Sequence, residues 1–157
     1  IPRRFAALVN SKGFNGLDSI NAMERGMIAP LPIKYPDTLE CYASIVKNVG
    51  DDMPAHLTTN LGKAQAIKDA TMAHFIVKNG AFDGKTILHF NGSYHSDNHE
   101  GIVWYLNQAI RKTSLELKIM TITCLEQENI DTISRNDASK ADFIIMIPAT
   151  MPGGSSN

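Results

Sequence analysis

The stretch that best indicates the fold class spans residues 86–124 and reads TILHFNGSYHSDNHEGIVWYLNQAIRKTSLELKIMTITC. It begins with a short apolar run at residues 86–90, between Gly84 and Gly92, which predicts a buried β-strand. Apolar residues then recur at helical spacing over residues 100–112, and residues 117–124 alternate like a second strand. Because strand, helix and strand follow one another here, the stretch predicts a βαβ unit with parallel strands.

Helices are predicted upstream of this stretch. Pro2 suits a first helical turn, and the apolar pattern after it continues until Gly13. Asp37 is expected to cap a second helix, which closes near Gly50. Residues 58–79 give the longest helical pattern, with alanines along one face that we expect to pack against a sheet.

A third strand is predicted at residues 142–147, just before Pro148. The 157 residues therefore indicate an α/β fold, in which helices pack on a mainly parallel sheet. We expect one domain over residues 1–150 and a flexible Gly- and Ser-rich tail over residues 151–157.

The bulk composition excludes some classes of function. The formal net charge is −1 and no segment concentrates Lys or Arg, so binding to nucleic acid is not expected. No apolar run approaches the roughly 20 residues that cross a bilayer. Cys41 and Cys124 match no metal-binding spacing and are expected to be buried free thiols, with a disulfide left open.

The residues after the first predicted strand carry most of the chemistry. In open parallel sheets, ligands bind beyond the carboxyl ends of the strands. Gly92 is expected to let the backbone turn sharply and to let a ligand approach it. Tyr94, His95, Asp97 and His99 follow within one loop, although Asp97 and His99 could simply cap the next helix. The sequence therefore predicts a ligand site centred on Tyr94 and His95.

A zinc site is a weaker interpretation of the same loop. His95 and His99 have the spacing His-x-x-x-His, but no Glu follows the first histidine and no third ligand is evident nearby.

Four segments together resemble the ChaN family of haem-binding iron-uptake proteins, within the Tiki/TraB-like superfamily. They are the Pro-Arg-Arg-Phe start at residues 2–5, the Gln-x-x-x-Asp-x-x-Met-Ala pattern at residues 65–73, the Gly-x-x-His pattern at residues 92–95, and residues 141–144. Their order and spacing cover nearly the whole chain.

The resemblance implies haem as the cofactor, bound at a dimer interface with a tyrosine on iron and a histidine near the propionates. Tyr94 and His95 are the candidate metal residues of this chain, with Tyr35 and Tyr42 as competing tyrosines. A hard ferric ion favours phenolate oxygen, and axial ligands are the main control that a protein has over haem.

Three further groups of residues are candidates for the same site. Arg3 and Arg4 could supply paired donors to the haem carboxylates, or could lie in a solvated helix start. Gln65 and Asp69 lie one helical turn apart, so they face the same way and could line the floor of the site or pin the helix. His99 completes the set.

The resemblance also implies a larger protein. ChaN-like proteins carry an earlier strand and another Gly-x-x-His-type motif before the Pro-Arg-Arg segment, so this chain is expected to be a C-terminal portion of a larger ChaN-like fold. Relatives of this kind suggest iron acquisition in the cell envelope or periplasm, often as an outer-membrane lipoprotein. Contact with the membrane would then be made only through a lipid anchor outside this chain.

Two other functions compete with non-catalytic haem binding. A metal-dependent hydrolase or peptidase of the Tiki type would use His95 as a metal ligand that helps to activate water. An α/β scaffold that binds only protein partners is the third, but it would not require the polar residues clustered between Tyr94 and Glu100.

Overall fold

The computed structural model describes residues 1–48, 55–80, 86–113 and 117–151. Its α-helices are α1 (Arg3–Lys12), α2 (Ala22–Arg25), α3 (Glu40–Asn48), α4 (Ala55–Gly80), α5 (Ile102–Thr113) and α6 (Arg135–Ala138). Short 3₁₀ helices lie at Phe14–Ser19, Ser93–His95 and Asp97–His99, and the strands are β1 (Ile122–Gln127) and β2 (Phe143–Pro148). The helix end predicted near Gly50 and the tail after Met151 lie outside the described residues.

Helix α1 confirms the prediction for the first segment. It follows Pro2 directly, and it ends where Gly13 adopts a φ of +65° and donates its N–H to the carbonyl of Val9. That positive φ favours glycine because it has no Cβ. The buried face of α1 carries Phe5, Ala6 and Val9, which join the main core.

Helix α4 is the centre of the packing. Its small buried residues, which include Ala64, Ala66, Ala70 and Ala73, let neighbouring elements approach closely. Those neighbours are α1, α3 and α5, so the prediction that the alanine face packs on a sheet is wrong. The physical reason is that the apolar sides of three other helices already cover α4. Because a helix makes its backbone hydrogen bonds within itself, these helices can pack on α4 without a sheet.

Helix α3 begins later than predicted. Its first residue is Glu40, so Asp37 does not occupy the capping position. The carboxylate of Glu100 instead accepts hydrogen bonds from the backbone N–H groups of Glu40 (3.1 Å) and Cys41 (2.6 Å). A negative group from a distant part of the chain thus satisfies the free donors of the helix N-terminus.

The predicted strand at residues 86–90 is wrong. The segment has no regular secondary structure, and its apolar side chains are exposed, with Leu88 73% and Phe90 84% accessible. A strand is stable only when another backbone pairs with it. In the described part of the chain, the sheet consists of β1 and β2 alone, and residues 86–90 do not pair with either strand. The predicted βαβ unit therefore does not form.

The parallel sheet is made instead by the two later strands. β1 starts five residues after the predicted beginning of its strand, while β2 lies where the third strand was predicted. They run parallel, with Ile122 opposite Phe143 and Gln127 opposite Pro148. Helices combined with a parallel sheet confirm the α/β class, although the sheet has two strands in the described residues.

Candidate functional site

The turn predicted to bind a ligand is built from two consecutive 3₁₀ helices, Ser93–His95 and Asp97–His99. The backbone N–H of His95 donates to the carbonyl of Gly92 (2.9 Å), which tightens the first of them. Asn98 and His99 both have positive φ, near +57° and +58°, and they reverse the chain before α5.

Gly92 does not serve the turn as predicted. Its φ is −65°, a value that any residue adopts, so the sharp reversal does not depend on it. A Cβ at this position would meet nothing within 4 Å. The backbone at Gly92 therefore faces open space, which is compatible with the other half of the prediction, the close approach of a ligand.

His95 is tied to α4 by a short hydrogen bond. Its Nδ1 lies 2.5 Å from Oδ1 of Asp69, whose side chain is 1% exposed. The hydroxyl of the fully buried Tyr42 donates to the other carboxylate oxygen at 2.6 Å. Three residues from α3, α4 and the turn thus form a continuous chain from Tyr42 through Asp69 to His95.

Gly101 makes this arrangement possible. It has a φ of +52°, and a Cβ there would collide with the carbonyl of His95 and lie 3.2 Å from Oδ2 of Asp69. Only glycine combines that backbone conformation with so close an approach. The start of α5 can therefore reach the carboxylate that holds the turn.

Tyr94 lies on the side of the turn that faces α3. It is 40% exposed, and its ring lies perpendicular to that of His95, with the centroids 6.0 Å apart. It borders a cavity of about 230 Å³, whose other lining residues are Glu40, Cys41, Ser44, Ser93, Asp97 and Asn98. Partial burial, followed by repulsion from the side chain of Cys41, raises the pKa of Tyr94 to about 12.

The two competing tyrosines lie deeper. Tyr42 is fully buried, and burial together with the neighbouring Asp69 raises the pKa of its hydroxyl strongly. Tyr35 is partly buried, and its ring packs against that of Tyr42 with the centroids 5.7 Å apart. Of the three candidates, Tyr94 is the one with a substantially exposed ring.

Cys41 also lines the Tyr94 cavity, a position that the sequence did not predict. Burial, followed by a hydrogen bond with Glu100, raises the pKa of its thiol to about 12, so it stays protonated at neutral pH. Both Cys41 and Cys124 are free thiols in the structure, and Cys124 is exposed rather than buried. Glu100, which connects the turn to α3, was also missed because its partner lies about 60 residues away in sequence.

His99 faces away from the Tyr94 cavity and towards the strands. Its Nε2 lies 3.2 Å from Oδ2 of Asp142 and 3.3 Å from the hydroxyl of Thr121. Asp142 also accepts from the backbone N–H of Thr121 at 2.7 Å, and this bond is the largest cause of the lowered pKa of its carboxyl. The imidazole of His99 thus links the turn to the beginning of the sheet.

The remaining predicted residues lie on two helices. Arg3 and Arg4 are exposed on α1, where Arg4 forms a salt bridge with Glu24 (3.2 Å). Gln65 accepts a hydrogen bond from Lys68 (2.9 Å), while Asp69, one turn further along α4, holds His95. The structure therefore connects Asp69 to the turn directly and shows Gln65 paired within its own helix.

A second cavity, of about 330 Å³, lies along the C-terminal half of α4 and is mostly apolar. His89 and Ile87, from the segment before the turn, face it together with Ile1 and with residues of α4, which include Met72, Phe75 and Ile76. Burial, followed by the charge of nearby His95, lowers the pKa of His89.

Across the described ranges, no group of three or more His, Cys, Asp or Glu side chains has the arrangement of a metal site. Within the same ranges, none of the helices combines the length and the apolar composition that would let it cross a bilayer.

A family model described as "Haem-binding uptake, Tiki superfamily, ChaN" matches residues 1–106, which is more than half of the 157 residues. The chain belongs to this family. The match includes α4 and the whole turn, so the ChaN-type region contains Tyr42, Asp69, Tyr94 and His95. No curated protein and no solved structure gives a significant match.

Proposed function

We propose that this chain binds haem at the turn formed by Tyr94 and His95, with the phenol of Tyr94 as the iron ligand. The observation that carries the proposal is the placement of the two side chains: an exposed phenol borders a cavity, and the next residue is an imidazole with one nitrogen held by a buried carboxylate. Membership of a family described as haem-binding supports the same cofactor.

The donor set fits ferric haem. A phenolate oxygen is a hard ligand that holds haem iron in some proteins, and an imidazole nitrogen is its commonest ligand. When bound, the haem would supply iron for transfer rather than a reaction at this site. The role of the chain is then to bind the iron and to orient the porphyrin.

The cavity also indicates how much of the haem the chain can cover. Its volume of about 230 Å³ is below the range of roughly 300–1,000 Å³ that is usual for ligand pockets. One copy would therefore cover only part of the porphyrin, which supports a second copy of the chain as the other side of the site. Glu40 and Asp97 make the cavity acidic, so the haem carboxylates would point away from it.

A hemin titration of the purified chain tests this function. We expect a shifted Soret band for the wild type, and a Tyr94→Phe variant that loses at least about tenfold in affinity, or about 1.4 kcal/mol. Tyr35→Phe is the matched control, since it removes a hydroxyl from a competing tyrosine and should leave the spectrum unchanged. A wild-type spectrum identical to that of free hemin would exclude haem binding by this chain.

The shared site has its own measurement. Sedimentation velocity with and without hemin should show a dimer of the chain that forms only, or mainly, in the sample with hemin. If hemin binds and the protein stays monomeric, the dimeric site is wrong although haem binding stands. We also propose that the haem is bound for uptake of its iron at the cell envelope; the family description, which names haem-binding uptake, supports the uptake role.

A further inference from the structure

The carboxylate of Asp69 is buried in the middle of α4 and uses both of its oxygens. Oδ1 meets Nδ1 of His95 and Oδ2 accepts from the hydroxyl of Tyr42. A buried carboxylate without partners is very costly, so these two contacts are what allow it to remain at this position. Its role therefore depends on what it does to its partners.

An ionised carboxylate only accepts hydrogen bonds. Nδ1 of His95 must then carry the proton of the 2.5 Å contact. In a neutral imidazole the other nitrogen is left as the acceptor, and the group bonded to the first nitrogen decides which tautomer forms. The lone pair of His95 is thereby assigned to Nε2.

We propose that Asp69 is a positioning residue that keeps the proton of His95 on Nδ1 and so presents Nε2 to the ligand bound at the turn, while Tyr42 holds the other oxygen of the same carboxylate. This inference deepens the proposed function and rests on it where the ligand is haem. Metal-bound and ligand-bound histidines commonly have such a carboxylate behind them, which fixes both tautomer and ring orientation.

The surroundings make the arrangement rigid. Asp69 lies on a helix of 26 residues, and Tyr42 lies on α3, which packs against that helix. Gly101 closes the third side, since its missing Cβ lets the backbone of the turn lie directly against the carboxylate. The imidazole is thus held by a carboxylate that two packed helices fix in place.

His99 provides a comparison within the same turn. Its Nε2, not its Nδ1, faces a carboxylate, that of Asp142. The two histidines should therefore have opposite tautomers, with the proton of His95 on Nδ1 and that of His99 on Nε2.

Nitrogen NMR of the histidines tests the inference without any haem. At a pH of about 9, well above the ordinary imidazole pKa of about 6.5, the shifts of the two ring nitrogens report which one is protonated. We expect Nδ1–H for His95 and Nε2–H for His99 in the wild type. A proton on Nε2 of His95 at this pH, whether in the Nε2–H tautomer or in an imidazolium, overturns the inference.

Asp69→Asn is the sharpest variant, because an amide of the same shape can donate to Nδ1 and move the proton to Nε2. His99 should keep its tautomer in the same spectrum, which makes it an internal control. If this variant does not fold, the wild-type spectrum and that of Tyr42→Phe, which should retain Nδ1–H, still decide the question.

The hemin affinity of Asp69→Asn then measures the positioning role. Loss of the carboxylate should lower the affinity by about 10–100-fold, as for other residues behind a ligand. A changed tautomer with unchanged affinity would overturn the positioning role. If the wild type binds no hemin, the proposed function fails, while the tautomers still test what Asp69 does to His95.

Discussion

The helices and the sheet use the same kind of apolar residue in opposite ways. Around α4, isoleucine, valine and phenylalanine side chains from α1 and α4 are almost fully buried. In the strand pair, large apolar residues on one face are about half exposed, among them Ile122, Phe143 and Ile145. The register places Ile122 opposite Phe143, so these exposed side chains form one continuous face.

The difference follows from how each element satisfies its backbone. A helix makes its hydrogen bonds within itself and needs only another apolar stripe to pack against. A strand needs a neighbour for its backbone and a second layer for its side chains. The helices that pack on α4 satisfy their own backbones and cover its apolar side chains. The two strands satisfy part of each other's backbone, but one of their apolar faces stays about half exposed, and residues 86–90 have exposed apolar side chains as well.

The largest effect should come from exchanging isoleucine for alanine in each region. Ile67 is fully buried on α4, and Ile67→Ala should lower the free energy of unfolding by about 2–5 kcal/mol, the usual cost of a large cavity. Ile145→Ala removes the same atoms from a side chain that is 51% exposed, so it should cost less than about 1.5 kcal/mol. Urea unfolding followed by circular dichroism measures both, and equal losses would mean that the sheet face is covered in solution.

A pair of glycines gives an intermediate effect. Gly101→Ala places a Cβ in a left-handed conformation and against the carbonyl of His95, so it should cost at least about 1–2 kcal/mol. Gly92→Ala meets open space at an ordinary φ and should change stability by less than about 1 kcal/mol. The same unfolding measurement applies, and a harmless Gly101→Ala would show that the turn does not lie tightly against Asp69.

The smallest effect on the free energy of unfolding should come from removing one carboxyl, that of Asp142, whose contribution depends on pH. The carboxyl of Asp142 has a lowered pKa in the folded state, chiefly because the backbone N–H of Thr121 donates to it. The folded state then binds fewer protons than the unfolded state, so this contribution to stability is present above the ordinary pKa of about 3.9 and is lost as the pH falls below it.

Asp142→Asn should therefore flatten the fall in unfolding free energy between about pH 5 and pH 2 without removing it, since other carboxylates titrate there as well. Urea midpoints across that range, compared with the wild type, measure the change. Identical pH profiles for the two proteins would mean that the hydrogen bonds accepted by Asp142, chiefly those from Thr121, contribute nothing to stability.

The helices could be predicted from sequence to a large extent because their signals are local. Pro2 and Gly13 bound α1 as expected, and the pattern over residues 58–79 lies within α4. The run at residues 86–90 misled for the opposite reason: its composition is that of a strand, but pairing depends on a partner elsewhere. The start of α3 was missed likewise, since Glu100 caps it from a distant position.

The site divides in a similar way. The Gly-x-x-His pattern and the polar loop identified Tyr94 and His95, and helical spacing identified Asp69 as a candidate. The roles of Tyr42, Cys41, Glu100 and Gly101 could not be found, because each depends on contact between segments that are far apart in the chain.

By itself, the sequence determined the longer helical segments, the α/β class and the turn that bears the phenol and the imidazoles, since periodicity, glycine and proline act over a few residues. Only the tertiary structure decided that Asp69 meets His95, that Tyr42 is bonded to Asp69 rather than exposed, and that Tyr94 borders a cavity. Hydrogen bonds and burial between distant segments arise when the helices pack, and no local pattern records them.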